Sequence, residues 1–100
     1  MLKAAYELFF ETLSNKTRLR IIDFLMKSGP RRATDIARQM ELNQTTVSHN
    51  LRRLERCGFV VAEKNGKERI YGISKDAKPL LNLLERHTER FCRLCVEGKR

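Results

Sequence analysis

The fold is decided by residues 34–58, TDIARQMELNQTTVSHNLRRLERCG. Two sets of apolar residues in this stretch recur at the spacing of one helical face: Ile36 and Met40, then Val47, Leu51 and Leu54. Between the sets, Glu41-Leu42-Asn43 interrupts the period, and Asn43 belongs to the residue types that cap helix N-termini. The stretch therefore predicts two helices joined by a tight turn, each burying a narrow apolar stripe.

The second of these helices carries a polar and basic outer face, on which Glu55 is the only carboxylate. At about 100° per residue, this face lies opposite the buried stripe. A donor-rich helix of this width fits the major groove of DNA, so we interpret the stretch as a helix-turn-helix. Arg52 and Arg56 can each bind guanine or clamp phosphate, and the sequence does not separate these roles. The side chains predicted to contact DNA from this helix are Gln44, Thr45, Thr46, Ser48, His49, Arg52 and Arg56.

Two helices are predicted before this stretch. Residues 2–13 have aromatic and leucine side chains at helical spacing, and residues 15–29 are apolar over a wide arc and end at Gly29-Pro30. Ser14 is the predicted N-cap of the second helix, and Thr34 that of the helix that opens the helix-turn-helix.

After Gly58 the period changes to that of strands. Residues 59–62 and 69–73 favour two strands, and Asn65-Gly66 between them predicts a type I′ hairpin with both residues at positive φ. A final helix is predicted from about residue 77 into the mid-90s. The fold class is therefore mainly α with a small β-hairpin, in one domain over residues 1–100: helix, helix, helix-turn-helix, hairpin, helix. This is the order of a winged helix with terminal helices.

Composition limits the function. The chain has 100 residues, a net charge of +9 and 41% hydrophobic residues, which suits one small domain with a nucleic-acid partner and a core that dimerisation would help. No apolar run is long enough to span a membrane, and no signal-peptide cleavage site follows the N-terminal apolar residues. We therefore expect a cytoplasmic protein with no membrane partner, whose three cysteines stay reduced, bind metal or sense redox state.

The order of three sequence strings resembles the ArsR/SmtB family of repressors. They are LFFETLSNKTRLRIIDFL, ATDIARQMELNQTTVSHNLRRLERCGFV and the wing ending KERIYGIS. The resemblance implies that Lys64, Lys67 and Arg69 on the wing reach the adjacent phosphates or the minor groove, although a basic wing can also be a plain solubilising turn. It also implies a homodimer that binds double-stranded DNA through two recognition helices, with residues 1–13 and 77–96 as the dimerisation helices. The candidate interface residues are Phe10, Leu80, Leu84, Phe91 and Leu94.

The cysteines admit several interpretations. Cys92 and Cys95 form a CxxC with both sulfurs on one helical face, and Cys57 ends the recognition helix. Converging thiolates would bind a thiophilic metal such as zinc, cadmium, lead or arsenite, and a close pair could instead form a redox-sensitive disulfide. Cysteine is also a common small core residue, so a purely structural role remains open.

Metal sites implied by the family resemblance are incomplete in this chain. Residues 33–39, ATDIARQ, lack the cysteines of the arsenic site on the third helix. The zinc site of the final helix would begin at Asp76, but Lys78, Glu89 and Cys92 occupy the remaining ligand spacing. In the cadmium-sensing branch, Cys57 matches the second cysteine of the recognition helix while Arg53 replaces the first. His87 is predicted to be packed or solvated.

The sequence favours one class of function over two others. The first is a sequence-specific dimeric repressor, released by metal or thiol chemistry if an effector exists. The second is a winged helix used for protein contact or for general DNA coating, which would show a steep salt dependence without sequence preference. An enzyme is not expected, because the chain has no glycine-rich phosphate loop, HExxH or GxSxG motif.

Overall fold

The computed structural model describes residues 2–98 and confirms the predicted winged helix, with one added strand. Its elements are α1 (Leu2–Leu13), α2 (Lys16–Ser28), β1 (Arg31–Arg32), α3 (Ala33–Met40), α4 (Gln44–Arg56), β2 (Val60–Asn65), β3 (Glu68–Ile73), α5 (Ala77–Phe91) and α6 (Arg93–Val96). None of the described helices has the length and apolarity needed to cross a membrane.

The core lies where the helices of the helix-turn-helix meet α2 and the sheet. All five apolar residues predicted to be buried in residues 34–58 are buried, and Val47, Leu51 and Leu54 have no exposed surface. They pack with Ile21 and Leu25 of α2, with Phe59 and Val60 after α4, and with Tyr71 and Ile73 of β3. This packing holds α4 in place through its buried apolar residues, so its polar side faces the solvent.

The sheet has three antiparallel strands in the order β1-β3-β2. Strand β1 was not predicted, because two residues are too short to show a strand period. The predicted hairpin turn is wrong by one residue: Asn65 pairs with Glu68, so Gly66 and Lys67 are the central residues. Gly66 has a φ of 66° and Lys67 has no positive φ, which is the pattern of a type II′ turn and not of type I′.

Two predicted helix caps are also wrong. Asn15, not Ser14, caps α2, because its side chain accepts a hydrogen bond from the Arg18 N–H. Helix α3 begins at Ala33, ahead of Thr34, and its N-cap residue Arg32 makes no side-chain capping bond. The Asn43 cap is confirmed: its Oδ1 accepts from the Thr46 N–H at 2.7 Å.

The C-terminal helix predicted into the mid-90s is interrupted. Helix α5 ends at Phe91, and Cys92 has a φ of −99° and a ψ of −17° at the junction with α6. The four residues of α6 have no buried side chain. Cys92 therefore lies at a helix junction, and Cys95 lies on the short helix that follows.

Candidate nucleic-acid interface

The outer side of α4 is one continuous polar surface. Gln44, Thr45, His49, Arg52 and Arg56 are exposed, whereas Thr46 and Ser48 are partly buried. Five of the seven predicted contacts line a single shallow surface depression of about 400 Å³: Gln44, Thr45, Ser48, His49 and Arg52. The predicted recognition face is thus contiguous in space as well as periodic in sequence.

The wing extends this surface beyond α4. Arg69 lines a second depression, of about 440 Å³, with His49, Arg52, Glu55 and Arg56. Lys64 lies directly opposite Arg69 in the β2–β3 ladder, and residues directly opposite in a ladder point to the same face of the sheet. The structure therefore brings two of the predicted wing cations to one side of the hairpin, next to the basic end of α4.

Lys67, the third predicted wing cation, lines a crevice of about 330 Å³ between the wing, α3 and α4. Gln44 and Ser48 border this crevice from α4, and Thr34 borders it from α3. Arg32 and Glu68 also border it. The crevice opens next to the recognition face, so a nucleic-acid backbone lying across α4 would pass close to it.

Arg32 ties this region together and was not predicted as a site residue. Its guanidinium donates to both Asp35 carboxylate oxygens, at 3.0 and 3.1 Å, and to both Glu68 oxygens at 3.1 Å. The hydrogen bonds from Arg32 hold the pKa of Asp35 below its ordinary value, and those same carboxylates raise the pKa of Arg32. The sequence offered no signal for this group, because its three charges come from separate elements.

A second polar network holds α4 from behind. Thr12 is fully buried, and its hydroxyl accepts a hydrogen bond from Arg53 Nε at 3.2 Å and donates to the Leu8 carbonyl at 2.8 Å. Arg18 donates to the Thr12 carbonyl at 2.6 Å and to Asn50 Oδ1 at 3.2 Å. By helical spacing of about 100° per residue Arg53 would flank the outer face of α4, but its side chain points toward α1 and also pairs with Glu11.

The cysteines are divided between two places. Cys57 lies at the end of α4 with its sulfur 3.2 Å from Thr12 Oγ1, and Cys92 and Cys95 are exposed near α6. Within residues 2–98, no three histidine, cysteine or acidic side chains lie together in a way that could hold a metal ion. A single chain thus offers a thiol pair at its C-terminal end and not a three-thiol site.

The residues predicted to form an interface lie on helices with exposed apolar side chains. Phe10 is 58% exposed, Phe91 42% and Leu80 37%, and Leu83 and Tyr6 add exposed area on α5 and α1. Leu94 is partly buried, and Leu84 is partly buried against the core of its own chain. Three of the five predicted interface residues are thus exposed, and two are partly buried.

Known proteins with similar sequences are regulators. Residues 15–61 match the family described as bacterial regulatory protein, arsR family. The cadmium resistance transcriptional regulatory protein CadC of Listeria innocua is 36% identical over 77 residues, which are 77% of this chain and 63% of that protein. The chain therefore spans less than two thirds of the length of this relative.

Two further similarities cover most of the compared chain. A protein of Methanocaldococcus jannaschii described as an uncharacterized HTH-type transcriptional regulator is 31% identical over 76% of this chain and 86% of its own length. A solution structure from Mycobacterium bovis, described as the homodimeric winged helix-turn-helix DNA-binding domain of a possible ArsR-family transcriptional regulator, has a TM-score of 0.82 and 31% identity. It matches 90% of this chain and 83% of that one. With the fold, the polar face of α4 and the wing beside it, these similarities show that the chain belongs to the ArsR family of winged helix-turn-helix regulators.

Proposed function

We propose that this protein is a homodimeric, sequence-specific DNA-binding transcriptional repressor of the cytoplasm. The observation that carries the proposal is the continuous basic surface formed by α4 and the wing, where Arg52 and Arg56 lie beside Arg69. Cations and hydrogen-bond donors on an exposed helix suit the phosphates and base edges of a major groove. The family is one of regulators, and this surface has the chemistry that such a role requires.

In this proposal α4 enters the major groove and the wing contacts the backbone next to it. Arg52, exposed at the middle of the outer face of α4, is the side chain assigned to a base edge. Lys64, Lys67 and Arg69 are assigned to phosphates. A dimer formed through α1 and α5 would present two copies of α4 to half-sites about one helical turn apart.

The central test is Arg52→Ala. If Arg52 binds a base, the variant should lose about 1–3 kcal/mol of affinity for a duplex selected from a random library with the wild-type protein. The measurement is a fluorescence titration at fixed salt against the selected duplex and a scrambled duplex of equal length. Lys27→Ala is the control, because it removes one cation from an exposed site on α2, where Lys27 pairs with Asp23.

The outcome separates the two DNA-binding hypotheses. Unchanged affinity of Arg52→Ala for the selected duplex would remove Arg52 from the site. Equal affinity of the wild-type protein for both duplexes, together with a steep salt dependence, would instead favour general DNA coating.

We further infer that Cys92 and Cys95 form the effector site of the repressor. Both thiols are exposed and three residues apart at the α5–α6 junction, so the pair is accessible to a thiophilic metal or an oxidant. The similar CadC protein is named for cadmium resistance, which favours a metal over other effectors. One chain supplies two thiols here, so a dimer would supply four.

The effector hypothesis predicts that a Cys92→Ser, Cys95→Ser double variant binds DNA like wild type but no longer responds to cadmium, zinc, arsenite or peroxide. The titration above, repeated with and without each reagent, measures both properties. Cys57→Ser is the comparison, because Cys57 lies away from the pair against Thr12. A normal response from the double variant, or a response lost only in Cys57→Ser, would contradict the assignment.

A further inference from the structure

We propose that Arg32 is a positioning residue for DNA binding: it joins Glu68 of the wing to Asp35 of α3 and thereby sets the distance between the wing and α4. The inference rests on the proposed DNA-binding function and adds a role for residues outside the recognition helix. It concerns the group formed by Asp35, Arg32 and Glu68, which we call the wing brace.

The geometry of the wing brace is specific to arginine. The Nε and Nη2 atoms of Arg32 bind the two oxygens of Asp35 in a fork, while Nη1 binds both oxygens of Glu68. A lysine has one ammonium on a flexible stem and cannot hold both carboxylates in this planar arrangement. The brace therefore fixes an orientation and not only a charge balance.

Strand register explains why these residues meet. Arg32 lies opposite Ile70 in the β1–β3 ladder, and Glu68 lies two residues before Ile70 on the same face of β3. Asp35 is three residues beyond Arg32, in the first turn of α3. The guanidinium of Arg32, on β1, thus connects Glu68 of the wing to Asp35 of the helix-turn-helix.

The position of Glu68 gives the brace its importance for DNA binding. This carboxylate borders the same crevice as Gln44 and Ser48 of α4, and its sequence neighbours Lys67 and Arg69 are proposed phosphate contacts. An acid at such a position repels phosphate unless a cation neutralises it, and Arg32 is that cation. The brace keeps Glu68 directed toward α3, so that the wing presents its positive side chains to the DNA.

This role can be separated from a direct phosphate contact by the sign of the effect. If Arg32 only attracted phosphate, Arg32→Lys would bind nearly as well as wild type. If Glu68 only repelled phosphate, Glu68→Ala would bind DNA more tightly. A positioning role predicts that both variants bind DNA more weakly than wild type. Each variant breaks the brace, although Arg32→Lys keeps the net charge and Glu68→Ala makes it more positive.

The test is a titration of Arg32→Lys, Glu68→Ala and the double variant against the selected and scrambled duplexes. We expect each single variant to lose about threefold to tenfold in affinity for the selected duplex. A loss of this size corresponds to the free energy that a surface ion pair within a network contributes. Affinity for the scrambled duplex should stay the same or rise. The double variant should be no weaker than the weaker single variant, because both changes remove one interaction.

The matched controls are Lys27→Arg and Asp23→Ala. Each alters one partner of the exposed Lys27–Asp23 ion pair on α2, away from the wing, and neither should change binding to the selected duplex. Thermal unfolding of all variants shows whether the fold is retained.

Two results would overturn the inference. One is wild-type affinity of Arg32→Lys for the selected duplex, and the other is tighter binding of that duplex by Glu68→Ala. Failure of the proposed function has a different signature: the wild-type protein itself would not distinguish the two duplexes.

Discussion

At the scale of single residues, the buried hydroxyl of Thr12 connects α1 to α4. It has no exposed surface, and three contacts converge on its hydroxyl, from the Leu8 carbonyl, Arg53 Nε and the Cys57 sulfur. The single hydroxyl proton lies toward Leu8, so the contact with Cys57 requires the thiol to donate. Thr12 therefore accepts from two side chains of α4 and its C-terminal end, and links them to α1.

Thr12→Val should lower the free energy of unfolding by about 1–3 kcal/mol. The substitution keeps the shape but leaves the Arg53 donor without its partner in a partly buried position, where an unmade hydrogen bond costs about that much. Urea unfolding followed by circular dichroism measures the change.

Thr88→Val is the matched control for this experiment. Its hydroxyl donates to the Glu85 carbonyl on the exposed surface of α5, so the substitution should change stability by less than about 0.5 kcal/mol. Equal losses in the two variants would show that the Thr12 network contributes nothing beyond an ordinary surface hydroxyl.

At the scale of elements, the turn of the helix-turn-helix depends on an unusual backbone conformation. Glu41 has a φ of 56° and is the one residue other than glycine with a positive φ among residues 2–98. Its N–H closes α3 by bonding to the carbonyls of Ala37 and Arg38. A left-handed conformation costs an L-residue about 1–2 kcal/mol, so strain is stored at the point where α3 turns toward α4.

Glu41→Gly should therefore raise the free energy of unfolding, by up to about 1 kcal/mol after the greater freedom of glycine in the unfolded chain is subtracted.

Gly58→Ala should have the opposite effect and lower the free energy of unfolding by about 1 kcal/mol. Gly58 has a φ of 80°, and an added Cβ there would meet no atom within 4 Å, so the loss would come from the backbone alone. Destabilisation by Glu41→Gly in the same unfolding assay would contradict this account.

The elements also show what could be predicted from sequence. The helices, the buried face of α4 and the polar residues on its outer face could be predicted from long periodic stretches. In α4, for example, an apolar residue recurs at helical spacing three times, at Val47, Leu51 and Leu54. Local choices were harder: Ser14 and Asn15 are both good caps, and only the packed chain selects Asn15. The turn moved by one residue for the same reason, since pairing of Asn65 with Glu68 is settled across the ladder.

Parts of the candidate site depend on contacts distant in sequence and could not be predicted. Arg53 lies beside the recognition face by helical angle, yet Thr12, 41 residues earlier, draws its side chain toward α1. Arg32 meets Glu68 across 36 residues through a strand only two residues long. The spacing of residues within one helix or strand cannot predict such pairs, because only tertiary packing brings their partners together.

At the scale of the whole molecule, the exposed apolar residues of α1 and α5 form the surface through which we propose that the dimer assembles. Phe10 is 58% exposed, and its ring packs edge-on against Phe9, which in turn contacts the buried Phe59. In the proposed dimer, a partner chain that covers Phe10 would therefore be connected to the core through the rings of Phe9 and Phe59, the last of which lies just after α4.

Phe10→Glu should weaken the proposed dimer at least about tenfold, because covering a phenylalanine contributes about 1.5–3 kcal/mol and a charge in its place opposes burial. Sedimentation equilibrium measures the monomer–dimer constant, and circular dichroism verifies the fold. Val61→Glu is the control, since Val61 is 49% exposed on β2, away from the terminal helices. An unchanged dimer in Phe10→Glu would place the interface elsewhere.

The strand order β1-β3-β2 has a consequence for the thermodynamics of association. Among the described residues, β1 supports β3 only opposite Ile70 and Tyr71, so the end of the hairpin from Lys64 to Arg69 is a two-stranded ribbon. Such ribbons are marginal in water, and each residue that becomes fixed on binding loses about 1–2 kcal/mol of conformational freedom. A calorimetric titration should therefore show a less favourable entropy of binding for Glu68→Ala than for the wild-type protein, because more of the hairpin end must then be ordered on binding.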